Sequence, residues 1–153
     1  YFDEHIKPHL SVKILYLGMI DKAQLVKYYQ KAAALLTPIR WEEPFGLTMA
    51  EAMACGTPVI AFKRGSVPEV VIDNKTGFIV ENTADMIDAI ENIGKINRRD
   101  CRIHVEKNFT NAHMVNGYEQ VLYQLVPESG TPKAKTFIKG MRRISEKIVG
   151  QLR

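Results

Sequence analysis

Two glutamates flank a Pro-Phe-Gly segment that leads into a predicted helix. Glu43 and Glu51 are separated by the seven residues PFGLTMA. The first turn of a helix leaves backbone N–H groups unpaired, and the helix dipole adds partial positive charge, so a helix start of this kind binds anions such as phosphate. The unpaired N–H groups here are expected to be those of Gly46, Leu47 and Thr48. Gly46 also lets a ligand approach without a Cβ in the way.

The two carboxylates suggest hydroxyl binding on either side of this anion site. Glu51 lies about one and a half turns into the helix, where a carboxylate can accept hydrogen bonds from the vicinal hydroxyls of ribose. Glu43 precedes the helix and can face the group attached beyond the phosphates. A nucleotide-diphosphate sugar has this layout. A simpler interpretation stays open from spacing alone, because acidic residues near a helix start also complement the dipole and the sequence AEAMA has high helix propensity.

The surrounding chain alternates short β-branched runs with longer helical ones, which is typical of βαβ units and a parallel sheet. Four short strands are predicted over residues 12–18, 34–38, 58–62 and 74–81. Longer helices are predicted over residues 21–33, 46–55, 83–96, 98–107 and 111–126, and a short one begins at Pro68. The pattern predicts a small doubly wound α/β sheet. Because the first ten residues resemble the end of a helix and its exit, we expect the first βα unit of a larger fold to be missing.

Composition indicates a globular protein with one core. The chain has 153 residues, of which 46% are hydrophobic and 25% charged. No apolar run approaches membrane-spanning length, and the N-terminus lacks a basic-then-apolar signal pattern. Cys55 and Cys101 have no spacing typical of a zinc site or a disulfide framework. We therefore expect a cytoplasmic protein without a metal or a bound cofactor.

The net charge of +4 is concentrated at the C-terminus. Residues 132–153 hold seven Lys or Arg and one Glu, whereas residues 1–131 hold 14 bases and 16 acids. The high pI therefore belongs to the tail, which disfavours a nucleic-acid partner for the domain. We predict a globular domain over residues 1–126 and, over residues 127–153, a linker followed by a basic amphipathic helix.

The predicted tail helix carries an apolar stripe along residues 137–152, with basic residues opposite. Packing against this domain or against a missing one is the preferred interpretation. One alternative is peripheral contact with the inner, anionic face of a membrane, which suits enzymes that glycosylate lipid acceptors. The other alternative is a disordered tail.

Several motifs in the chain resemble those of family 4 of the retaining glycosyltransferases, which have the GT-B fold. The family places two glutamates, with seven residues between them, around an F-G-L segment and follows with E-A-M-A-x-G-T-P-V; this chain has EAMACGTPVI from Glu51 onward. The sequences GSVPEVV at 65–71 and NKTGFIVE at 74–81 match further motifs in the same order. The resemblance extends over roughly residues 1–126. It implies a Rossmann-like parallel sheet flanked by helices, the C-terminal donor-binding half of a GT-B enzyme.

The resemblance also implies roles for individual residues. Glu43 would be the catalytic-site residue facing the donor sugar, and Glu51 would bind the ribose. Gly18 and Met19 would border the base pocket. The sugar diphosphate of a UDP-, GDP- or ADP-linked donor would bind the N–H groups of Phe45, Gly46, Leu47 and Thr48. The reaction implied is transfer of a hexose-type sugar with retention of anomeric configuration, and the chain has no D-x-D sequence for a metal.

Departures from the family pattern concern the diphosphate and the acceptor. The family has an N-terminal acceptor-binding domain, for a sugar or lipid-linked acceptor, and an Arg and a Lys after the first donor-domain strand; we expect both regions to be missing here, so that the chain alone has little activity. Gly65-Ser66 replaces the usual Gly-Gly pair. Arg40, Lys63 and Arg64 lie near the motif, but the family pattern gives none of them a role. A stand-alone nucleotide-sugar-binding module remains the alternative; another type of GT-B enzyme, such as a phosphorylase or an epimerase, is disfavoured by the spacing of the two glutamates.

Overall fold

The structure is a computed structural model, and it describes residues 1–125 together with Thr136 and Gly140. The described residues do not include the predicted boundary at residue 126 or the linker. Of the predicted basic tail helix, they include only Gly140. The proposed membrane contact through residues 137–152 lies outside them as well, Gly140 excepted.

Three parallel strands form the sheet of the described chain. They are β1 (Leu35–Thr37), β2 (Val59–Phe62) and β3 (Gly77–Val80), in the order β1-β2-β3. Leu35 pairs with Val59, and Val59 pairs with Gly77. Because all three strands run in the same direction, the loops that follow β1 and β2 leave the sheet at the same edge.

Six α-helices accompany these strands in the described residues, and their positions agree with the sequence-based prediction. They are α1 (Lys22–Lys31), α2 (Leu47–Ala54), α3 (Val67–Val70), α4 (Thr83–Asn92), α5 (Arg98–Asn108) and α6 (Asn111–Leu125). Shorter π- and 3₁₀-helical turns occur at Phe2–Ile6, Lys7–His9 and Ile93–Lys95. None of the helices in this part of the chain is long and apolar enough to cross a membrane.

The starts of these helices differ in one respect that matters for the site. Asp21, Asn82 and Asn97 each cap a helix by accepting a hydrogen bond from a backbone N–H in its first turn. Helix α2 has no such side-chain cap, and its N-cap residue is Gly46 in the left-handed conformation, with φ 73°. The first turn of α2 therefore lacks the internal acceptor that three other helices have.

The core lies on both faces of the central strand. Val59 and Ala61 of β2 pack on one side, in a cluster with side chains of α2, α3 and α5. Ile60 and Phe62 pack on the other side with Met86 of α4 and its neighbours. All four β2 residues are buried, so helices cover both faces of the sheet, as expected for a parallel sheet.

The strand predicted over residues 12–18 is wrong. Ser11 and Ile14 instead close a tight turn, in which each N–H donates to the other residue's carbonyl and the Ser11 hydroxyl accepts from the N–H groups of Lys13 and Ile14. Those N–H groups are then unavailable for pairing with β1. Val12 is 94% exposed and Leu15 is 70% exposed, so the run is not buried either. The sheet in the described residues has three strands rather than four.

Because Gly77 is closely packed against β2, adding a methyl side chain there is expected to destabilise the fold. A Cβ at Gly77 would lie 1.9 Å from the Val59 carbonyl oxygen, whereas a Cβ at Gly94 would meet nothing within 4 Å. We expect Gly77→Ala to lower the free energy of unfolding by about 1–3 kcal/mol or more, because backbone atoms of the central strand must move. Gly94→Ala, the matched control, is expected to be neutral or slightly stabilising. Urea unfolding of both variants checks this, and equal stabilities would contradict the described β2–β3 pairing.

The two cysteines are expected to differ in reactivity. Cys101 is fully buried, and burial raises the pKa of its thiol to about 11. Because the thiolate is the reactive form, a Cys55→Ser chain, which retains only Cys101, should react with a thiol reagent at least roughly 100-fold more slowly when folded than in urea. Labelling kinetics at neutral pH in the two states measure the ratio. Equal rates would show that Cys101 is not in the core.

Candidate functional site

A cleft lies where the loops after β1 and β2 meet the start of α2. Its volume is about 470 Å³. It is lined by residues 43–49 and by Thr37, Ile39, Trp41, Arg64 and Val67. Thr37 ends β1 and Arg64 follows β2, so the cleft opens at the carboxyl edge of the sheet, where open α/β folds bind their ligands.

The start of α2 presents free backbone donors to this cleft. Met49 N–H donates to the Gly46 carbonyl at 2.9 Å. Within the described chain, the N–H groups of Leu47 and Thr48 have no acceptor. Both residues line the cleft. Two unpaired donors at the positive end of a helix dipole have the chemistry that suits an anion.

The carboxylate of Glu43 lies at the same helix start. One of its oxygens, Oε1, accepts from the Gly46 N–H at 3.2 Å, and the other, Oε2, accepts from the indole Nε1–H of Trp41 at 3.2 Å. The Glu43 carboxylate therefore already accepts from the Gly46 N–H, one of the N–H groups that were predicted to bind phosphate. The prediction has Glu43 ahead of the helix, facing the group attached beyond the phosphates. The structure shows its carboxylate against the loop that starts α2, and its role toward a sugar stays a prediction.

A clasp between the two loops fixes the geometry of the cleft. Ser66 N–H donates to the Glu43 carbonyl at 2.9 Å, and Gly65 N–H donates to the Glu42 carboxylate. Gly65 has φ 49°, and a Cβ there would lie 2.4 Å from the Glu43 carbonyl oxygen. Only glycine allows this approach without a shift of backbone atoms.

Glu51 lies one turn beyond Thr48 on α2 and does not line the cleft. Its side chain is exposed. Burial, and to a lesser degree the nearby carboxylate of Glu51, raise the pKa of the Tyr29 phenol on α1. The Glu51 carboxylate is therefore near Tyr29, and its predicted role toward ribose stays a prediction.

Gly18 and Met19, the residues predicted to border a base pocket, also lie outside the cleft lining. Met19 is fully exposed, and Gly18 has φ 63° in the loop before α1. The cleft thus brings together Glu43 and residues 45–48 from the predicted set but not Glu51, Gly18 or Met19. The base-pocket role of Gly18 and Met19 stays a prediction.

Sequence reasoning gave no site role to Arg64, and Trp41 is a second polar residue of the cleft outside the predicted site residues. Trp41 binds the Glu43 carboxylate and lines the cleft. Arg64 lines it from the loop after β2. The position of Arg64, two residues past the end of a predicted strand, could have placed it near the sheet edge but not in the cleft itself. The described residues contain no group of three or more His, Cys, Asp or Glu able to hold a metal ion.

Comparison with known proteins gives a family for this chain. The model of the family described as "Glycosyl transferases group 1" matches residues 3–108. A D-inositol 3-phosphate glycosyltransferase of Mycobacteroides abscessus is 38% identical over 83 residues, which are 53% of this chain and 18% of that protein. An uncharacterized 41.2 kDa protein in the cps region of Klebsiella pneumoniae is 33% identical over 114 residues, which are 71% of this chain and 32% of that protein.

A solved structure agrees with the sequence matches. Sucrose-phosphate synthase from Thermosynechococcus elongatus has a TM-score of 0.63 and 33% identity to this chain, and the match covers 72% of this chain and 30% of that one. The chain spans about a third or less of the length of each of these proteins. The fold of the described chain fits a partial Rossmann-like domain, the C-terminal half of the GT-B fold. Because the family match covers well over half of its residues, the chain belongs to the glycosyl transferases group 1 family.

Proposed function

We propose that this domain binds a nucleotide-diphosphate sugar and that it is the donor half of an enzyme transferring the sugar to an acceptor with retention of configuration. The observation that carries the proposal is the cleft in which the Glu43 carboxylate lies beside two unpaired N–H groups at the start of α2. Free amides at a helix start suit phosphate, and a carboxylate suits sugar hydroxyls. The family match supports the same class of reaction.

In this proposal the diphosphate lies against residues 45–48. The free N–H groups of Leu47 and Thr48 donate to its oxygens, and the Gly46 N–H joins them when the Glu43 carboxylate moves away. Glu43 then turns to the sugar. Glu51, one turn further along α2, takes the ribose hydroxyls, and Gly18 and Met19 border the base.

The acceptor, a sugar or a lipid-linked molecule, is proposed to bind to a part of the whole protein outside this domain. The relatives above are about three or more times longer than the segment that matches here, which leaves room for an acceptor-binding domain. We also propose a cytoplasmic location. Proton NMR of the product formed by the whole protein would report its anomeric configuration and so test retention.

Calorimetry with UDP, GDP and ADP tests donor binding. We expect the chain to bind at least one of them, and Glu51→Ala to weaken that binding by about 1–3 kcal/mol because the ribose loses a charged acceptor. The matched control is Glu91→Ala, which removes an exposed carboxylate from α4, a helix that contributes no residue to the cleft. Absence of binding by all three nucleotides at millimolar concentration would contradict the proposed function.

Glu43→Gln should strengthen nucleotide binding, whereas Glu51→Ala should weaken it. The carboxylate occupies the Gly46 N–H and repels a bound phosphate, so its neutral isostere should bind the free nucleoside diphosphate about 0.5–1 kcal/mol more tightly. The gain should shrink at high salt. Calorimetry at two salt concentrations, with Glu91→Gln as the charge-matched control, measures it. Equal or weaker binding by Glu43→Gln would show that the carboxylate does not compete with phosphate.

A further inference from the structure

The cleft holds an electrostatic imbalance. A diphosphate is multiply charged, whereas the start of α2 supplies only about half a positive charge. The Glu43 carboxylate adds a full negative charge at the same place. A diphosphate bound here therefore needs a cation close by.

Arg64 is the only Lys or Arg among the described residues that line the cleft. Two other cations near it in the sequence are placed differently. The Nζ of Lys63 lies 3.6 Å from Oε1 of Glu81, and Lys63 does not line the cleft. Arg40 also lies outside the lining, although Ile39 and Trp41 on either side of it belong to the lining.

Most N–H donors of the Arg64 guanidinium are available for a ligand. Its Nη1 donates to the Lys63 carbonyl at 2.9 Å. None of the ion pairs in the described chain involves Arg64. Because a guanidinium has five N–H donors in a planar fork that matches phosphate oxygens, one backbone contact leaves most of its capacity free.

The loop clasp fixes the backbone that carries this side chain. Gly65 and Ser66, the two residues after Arg64, are bound to Glu42 and Glu43. The same clasp ties Arg64 to the loop that starts α2. The cation and the free N–H groups thus border one cleft from two different loops.

We propose that Arg64 binds the diphosphate of the donor, opposite the N–H groups at the start of α2. This inference rests on the proposed function and adds to it a residue from the loop after β2. Arg64 supplies the positive charge that offsets the Glu43 carboxylate when both share the cleft with a diphosphate. Its contribution depends on the charge of the ligand and not on the base or the ribose.

The test compares Arg64→Gln with Lys63→Gln, which removes the same charge one residue away. Calorimetry uses the nucleoside diphosphate that the unchanged chain binds best, together with the corresponding monophosphate and nucleoside. Arg64→Gln should weaken diphosphate binding roughly 10-fold or more, weaken the monophosphate less and leave the nucleoside within about twofold. Lys63→Gln should stay within about twofold for all three, and Arg64→Lys should lose less than Arg64→Gln.

The outcomes separate the two proposals. If the unchanged chain binds a diphosphate and Arg64→Gln binds it equally well, the role of Arg64 is refuted and the proposed function stands. Equal losses for diphosphate and nucleoside would also refute it, because they would indicate a structural effect. If the unchanged chain binds no nucleotide, the proposed function fails and this inference fails with it. Equal urea midpoints for Arg64→Gln and the unchanged chain confirm that the variant is folded.

Discussion

Parallel pairing of β1 with β2 is the constraint on which the rest of the site depends. The register that aligns Leu35 with Val59 ends both strands at the same edge of the sheet. The loop from β1 to α2 and the loop from β2 to α3 must therefore meet there. Burial of β2 on both faces holds this register, because a shift by one residue would exchange its two packed faces. The cleft is a direct consequence of that edge.

Glu43 connects the fold to the proposed chemistry. Its main chain accepts from Ser66 and so joins the two loops, while its carboxylate binds the Gly46 and Trp41 N–H groups. The carboxylate thus acts as an internal anion at a helix that has no side-chain cap. A ligand phosphate is proposed to take over the Gly46 N–H and release the carboxylate toward the sugar. On this account, donor binding and the placement of Glu43 are coupled by competition for one N–H group.

Much of the fold and part of the site could be predicted from the sequence. The three strands and the helices could be predicted because their signals are local. These signals are the helix-capping residues, Gly56 after α2 and the β-branched runs. The strand prediction for residues 12–18 was wrong because apolar content does not show whether a pairing partner is available. The N–H groups of Lys13 and Ile14 donate instead to the Ser11 hydroxyl in a turn. The Glu43–Gly46 contact and the place of Arg64 depend on how two loops meet, which residue spacing does not encode. The family motif located the cleft but gave no role to Arg64.

The proposed function requires above all that the free amides at the start of α2 bind the donor diphosphate. Backbone amide NMR of ¹⁵N-labelled chain during titration with the tightest-binding nucleoside diphosphate tests it most directly. We expect the largest shift changes on Leu47 and Thr48, the two residues with unpaired N–H groups in the cleft, followed by Gly46 as its bond to Glu43 is replaced. Saturable binding that leaves these three amides unchanged and shifts residues elsewhere would show that the diphosphate does not bind at the start of α2.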